Sequence, residues 1–337
     1  MLARVAENVY WLARYLERAE NTARLVNVNA NLLLDLPPEY RPGWLPLVDI
    51  TGSRQLFDAN EKRPEERDII HFLIADLDNP GSILSSVHSA RENARTLRDV
   101  LPTEVWEHLN ALFMEIKEQL PGALSKRTRF NFLQRVIRGM QTLTGELEGT
   151  MSRNHAFTFL MLGRNLERAD MTSRIIDVRS PQLRSADAPE LRPFDTIQWV
   201  HLLKSLSGYQ AYCLSQRVRI SRSAVLEFVL RHDQFPRACR FCLKAVEDYL
   251  RALPRNADVV VVLAKARTFV DNATPAALDP SALHELIDRL QLHIIEVHEQ
   301  IARTYFRAHA ARAAQLQIQT SRDERQVSTL PLDTPSR

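Results

Sequence analysis

Residues 10–28 read YWLARYLERAENTARLVNV, and residues 160–178 read LMLGRNLERADMTSRIIDV. The two stretches align without a gap, each residue of the second 150 positions after its counterpart. Leu12/Leu162, Arg14/Arg164, Leu16/Leu166, Glu17/Glu167, Arg18/Arg168, Ala19/Ala169, Thr22/Thr172, Arg24/Arg174 and Val28/Val178 are identical, nine of nineteen positions, and Glu20/Asp170 keeps its charge. Such agreement is hard to reach by chance, so the chain reads as an internal duplication. On a helix, Arg14, Glu17, Arg18 and Asn21 fall within about 60° of one direction. Two arginines one turn apart do not pair with each other. They need carboxylates from elsewhere in the fold, or an anionic ligand.

Apolar residues recur around this motif at steps of three and four: Leu2, Val5, Val9, Leu12, Leu16, Ala19, Ala23 and Val26. That period predicts one long helix over 2–34, ending before Pro37-Pro38. Proline and glycine punctuate 37–53, which reads as a loop carrying Tyr40 and Trp44. Further helices are expected near 54–60, 64–76, 82–100, 103–120, 126–148, 151–178, 194–217, 221–231, 235–252, 257–272 and 280–314. Ser82 is the expected N-cap of its helix. The apolar run Val259–Leu263 resembles a strand, but Ala264–Arg267 continues the helical period and no partner strand is evident. The fold class expected is therefore all-α, a multi-helix bundle with a duplicated motif helix. One helical domain would span 1–314, with a loop or linker at 181–193 and a polar, disordered tail over 315–337.

Composition agrees. Only 9 of 337 residues are glycine, whereas sheet turns and nucleotide-cradling loops depend on it. Apolar residues at 45% and charged residues at 25% suit a globular chain with a sizeable core. The net charge of +3 is too small to point to nucleic acid, and the short cluster Arg217, Arg219 and Arg222 does not change that. Arginine far outnumbers lysine, which favours bidentate, partly buried carboxylate pairing. Three cysteines, Cys213, Cys239 and Cys242, fit a reducing compartment. With no signal-like N-terminus and no 18-residue apolar window, the expected location is the cytoplasm and no membrane contact is expected.

Three segments together are specific: WLARYLERAENTAR (11–24), ARENARTLRD (90–99) and GRNLERADMTSR (163–174). They resemble the alpha-E family, a bacterial helical family named for its Glu-Arg motif. Trp106 with Leu109-Asn110, Ser205–Tyr212 and Phe235-Pro236-Arg237 resemble its weaker signatures. The resemblance covers about residues 1–312. It implies partnership with a circularly permuted ATP-grasp protein, and with a transglutaminase-like peptidase or a proteasome-related peptidase. ATP-grasp enzymes make amide bonds through acyl phosphates, so the resemblance implies a role in making or handling a peptide or amide.

Other chemistry is weaker. Cys239-Arg-Phe-Cys242 is a CxxC, but it falls inside an expected helix without further zinc ligands, and reads as core packing. His284, His293 and His298 lack the paired Glu-x-x-His of di-iron bundles, so no metal is expected. Asp76-Leu-Asp78 precedes Asn79-Pro80 and reads as a capped turn. No Walker A, GxGxxG or GxSxG pattern occurs, and no cofactor is expected.

The leading expectation is an accessory protein of an ATP-grasp amide ligase that binds an anionic group in an Arg/Glu-lined cleft. Its candidate ligand residues are Arg14, Glu17, Arg18, Asn21, Arg91, Glu92, Arg95, Arg164, Glu167 and Arg168; no catalytic residue is assigned. One alternative is a transferase or ligase-type enzyme working through the Glu-Arg face. The other is a purely structural interaction module in which the same groups form a closed ion-pair lattice.

Overall fold

A computed structural model of the chain describes residues 1–60, 63–179, 192–215 and 219–306. Among them are fourteen α-helices and no strand. They are α1 (Ala3–Asp35), α2 (Pro46–Ile50), α3 (Arg54–Ala59), α4 (Glu66–Ile74), α5 (Ile83–Arg95), α6 (Thr103–Ala123), α7 (Lys126–Thr150), α8 (His155–Arg179), α9 (Arg192–Ser205), α10 (Tyr209–Ser215), α11 (Arg222–Arg231), α12 (Cys239–Leu250), α13 (Ala257–Asp271) and α14 (Pro280–Ile301). A π-helical turn, Ala302–Phe306, follows the last. Residues 181–191 of the expected linker, Arg217 and the 315–337 tail lie outside the described residues. No described helix is long and apolar enough to cross a membrane.

The two motif helices form the centre. α1 runs 33 residues without glycine or proline and stops at Leu36, before Pro37 removes the helical option. It packs against α8 and α5 and also touches α7 and α9, so its burial reaches well beyond one stripe. α8 likewise lies between α1, α12 and α14. It meets α1 closely at Gly163: a Cβ there would fall on the Tyr10 carbonyl oxygen, so only glycine permits this crossing. Packing of this kind forces the polar groups of both helices inward.

Several boundaries differ from the periodicity. The 37–53 segment is not all loop, since Pro38–Tyr40 forms a 3-10 turn and Leu47, Val48 and Ile50 of α2 are buried. α5 is capped as expected, with the Ser85 amide donating to Ser82 Oγ at 3.1 Å, but it ends at Arg95, where the Thr96 hydroxyl donates to the Asn93 carbonyl. α8 starts at His155 because Asn154 Oδ1 accepts from the amides of Ala156 and Phe157. The expected 194–217 helix is broken between α9 and α10, where Ser207 adopts φ +54°. Val259–Leu263 is helical, within α13.

Candidate functional site

The Glu-Arg motifs of α1 and α8 exchange partners across the helix crossing. Glu167 accepts from Arg14 Nε at 2.6 Å and from Arg18 through Nε at 2.7 Å and Nη2 at 3.1 Å. Glu17 accepts from Arg168 Nε at 3.0 Å and from an Nη of Arg237. Arg237 lies in the turn before α12, donates to Asn21 Oδ1 at 2.8 Å and reaches Glu20 at 3.2 Å. Its carbonyl accepts the Thr172 hydroxyl at 2.8 Å, which ties the turn to α8. Arg164 turns the other way and pairs with Glu148 of α7.

Both motif glutamates are buried, Glu17 at 3% exposure and Glu167 at 2%. Burial pushes their pKa values up, but the facing arginines outweigh it: Arg168, Arg237 and Arg164 at Glu17, Arg18 and Arg14 at Glu167. Each carboxyl is lowered to about 2. Neither holds a proton to donate near neutral pH. One flank of α1 is aromatic and largely buried: Arg14 stacks over Trp11, 5.1 Å from its ring centre, and Tyr10 hydrogen-bonds His298 Nδ1 at 2.8 Å. His298 is thereby tied into the aromatic cluster rather than left on a solvated face.

One edge of the lattice is open. A cavity of about 190 Å³ is lined by Arg18, Thr22, Glu167, Asp170 and Arg174 together with the Thr51–Ser53 and Pro80-Gly81 turns. Gly52 stands at φ +68°, and a Cβ on it would come within 2.5 Å of the Arg174 guanidinium, so glycine keeps that wall thin. The Thr22 hydroxyl is fully buried and has no hydrogen-bond partner among the described residues.

The structure therefore brings Arg14, Glu17, Arg18, Asn21, Glu167 and Arg168 into one network, with Arg164 at its border. It does not bring Arg91, Glu92 and Arg95 there. Arg91 donates to Asn110 of α6 at 2.7 Å and pairs with Glu92 at 2.7 Å, while Arg95 pairs with Glu92 at 2.9 Å. Their ion pairs stay within α5, and Trp106 takes the cations Arg91 and Arg98 over its ring.

This arrangement of two helices joined by reciprocal Glu-Arg pairs coincides with a known sequence signature. The Alpha-E profile, described as a predicted alpha-helical domain with a conserved ER motif, matches residues 1–306. The chain belongs to the Alpha-E family. Uncharacterized proteins of Mycobacterium bovis and of a Mycobacterium tuberculosis strain are each 24% identical to this Alpha-E chain over 269 residues, 74% of this chain and 30% of theirs. A protein of a second M. tuberculosis strain is 23% identical over the same shares. This chain thus spans about a third of the length of the curated relatives it matches. No solved structure matches it.

Sequence reasoning missed Arg237, Glu20 and Glu148 as lattice members. Phe235-Pro236-Arg237 drew notice only as a weak family signature, and nothing local shows that its arginine reaches α1. The CxxC lies within α12 as expected, at its first turn, with Cys239 as the first helical residue. Both thiols are buried, and burial raises both, Cys242 to about 12, opposite to a redox thiol. Asp76 caps a turn as expected, its Oδ1 accepting the Asp78 amide at 3.0 Å. Asp177, His284 and Asp288 cluster closely enough to suggest a metal. However, His284 addresses Asp177 through Nδ1 at 2.5 Å and Asp288 through Nε2 at 3.6 Å. Its two nitrogens point to different carboxylates, the geometry of a bridging imidazolium, and the Asp177 hydrogen bond raises its pKa accordingly.

Proposed function

We propose that this Alpha-E chain is an accessory module whose duplicated Glu-Arg helices lock the bundle and hold a small anionic group at the open edge of the lattice. In this reading α1 and α8 are copies that trade arginines. Arg18 reaches Glu167 and Arg168 reaches Glu17, the same pair with the copies reversed. The observation that carries the ligand role is Arg18. Its side chain is 23% exposed against 10% for Arg14 and 16% for Arg168. Arg18 also lines the cavity beside the unpartnered Thr22 hydroxyl. A carboxylate or phosphoryl oxygen seated there would take a charge-assisted hydrogen bond from Arg18.

The partner in this proposal is the ATP-grasp amide ligase that the family resemblance implies. Two observations support it. The matching region of the mycobacterial relatives is one part of a much longer chain, as expected of a module that works beside others. The cavity is also too small for a nucleotide but fits a carboxylate or acyl phosphate end. The enzyme alternative is less favoured, because carboxyls lowered to about 2 are poor acids and weak bases.

The test is affinity purification of the tagged chain from its own host, with ADP release measured on the eluate over a panel of amino acids. We expect an ATP-grasp protein to co-elute, and Arg18→Gln to lower ADP release several-fold while the complex persists. Absence of a ligase, or ADP release indifferent to Arg18→Gln, would overturn the reading.

A further inference from the structure

A second pocket lies at the far end of α1, and it shares no residue with the motif cavity. It encloses about 420 Å³ between the last turns of α1, Trp44, the start of α4 and the first turns of α7. Its size falls in the range of small-molecule sites, roughly 300–1,000 Å³. One wall is apolar: Leu33, Leu133, Trp44 and Phe130 face it, and Phe130 is left 53% exposed at the rim. A large aromatic side chain half in water beside a cavity is what an apolar ligand would cover.

The other wall is cationic. Arg129 is buried, stacks on Trp44 with its guanidinium 5.6 Å from the ring centre, and pairs with Glu66 at 2.9 Å. Lys126 takes the second Glu66 oxygen at 2.8 Å. Burial would raise the Glu66 carboxyl, but hydrogen bonds from Lys126 and Arg129 hold it below its usual value. Glu66 is therefore committed to two cations. Arg41, the third, uses Nε on the Leu36 carbonyl at 2.9 Å and pairs with no carboxylate among the described residues. Three cations against one carboxylate leave the pocket with a charge of +2.

Asn27 supplies the second, independent observation. It is 9% exposed, lines the pocket, and its side-chain amide hydrogen-bonds to no described residue. The amide keeps some contact with solvent and is free to hydrogen-bond a ligand in the pocket. We propose that this pocket binds a small organic carboxylate with an aromatic or branched aliphatic body. The carboxylate meets Arg41 and the Lys126/Arg129 pair, a polar atom of the ligand meets Asn27, and the body lies between Trp44 and Phe130. A C-terminal hydrophobic amino acid has this chemistry.

Isothermal titration of the full chain with N-acetyl-phenylalanine and N-acetyl-leucine tests it, with their amides and acetate as controls. We expect saturable one-site binding of at least one acid. Its amide and acetate should bind at least about tenfold more weakly, since one lacks the charge and the other lacks the body. Arg41→Gln, on an exposed side chain, should weaken the acid by about tenfold without lowering the melting midpoint. Phe130→Ala, also at the rim, should weaken it as well. Arg18→Gln should leave it unchanged, which separates this site from the motif cavity. No saturable binding of either acid up to about 10 mM, equal binding of acid and amide, or indifference to both rim variants would overturn the proposal.

Discussion

Replacing Glu17 by glutamine removes one negative charge and little else in volume. In the native lattice Glu17 neutralises Arg168 and Arg237, with Arg164 also within its field, and all of these side chains are largely buried. An amide can accept one of those hydrogen bonds but cannot balance the charge. Breaking a buried pair by removing one partner costs about 3–5 kcal/mol, because the cation left behind is desolvated without compensation. Typical total stabilities are about 5–15 kcal/mol, so the loss is a large share. At about 2 °C per kcal/mol for a chain of this size, the melting midpoint should fall by roughly 6–10 °C. The assay is a thermal melt followed by far-ultraviolet circular dichroism, with Glu92→Gln as control. Glu92 makes the same kind of pair at 36% exposure and should cost under about 1 kcal/mol. The double variant Glu17→Gln/Arg168→Met should recover part of the loss, since the two residues share one interaction. A Glu17→Gln midpoint within 1 °C of wild type, or a loss no greater than that of Glu92→Gln, would refute the closed-lattice reasoning and imply that water already solvates those arginines.

Acid should unfold the protein over a defined window: because Glu17 and Glu167 have folded pKa values of about 2 against an ordinary 4.5, their stabilisation is complete above pH 4.5 and disappears as the pH falls towards 2. Urea midpoints measured from pH 6 to 3 should stay level and then drop steeply, and Glu17→Gln should flatten the drop. Gly163→Ala should destabilise by about 1–3 kcal/mol or more, read by urea titration, because the new methyl group meets the Tyr10 backbone and forces α1 and α8 apart. An aromatic disulfide reagent should label one thiol in the native protein, the exposed Cys213, and all three only in denaturant, since Cys239 and Cys242 are buried with raised pKa values. His284→Ala should change the melting midpoint little, because the His284 side chain is itself half exposed.

The local rules were legible from residues alone. Helix class, the Ser82 cap, the stop before Pro37 and the capped Asp76 turn each depend on neighbours a few positions apart, and all appear in the structure. So did the demand of the motif: arginines stacked one turn apart require carboxylates from elsewhere, and they have them. What the sequence left open was which carboxylates, and whether the site was open or closed. Arg18 pairs with a residue 149 positions away and Arg237 with one 220 away. Neither pairing leaves a trace in local periodicity, because a helix fixes only the direction in which a side chain points, not what lies there. Arg91 and Arg95 show the same limit from the other side: in sequence they are candidates alongside the motif arginines, yet Arg91 meets Asn110 and Trp106 of α6 and Arg95 stays with Glu92 on α5. The sequence by itself determined the helices and the charges that must be met. Only the tertiary structure, through the close crossing that Gly163 permits, decided that those charges meet each other in a buried lattice and leave Arg18 facing the open edge.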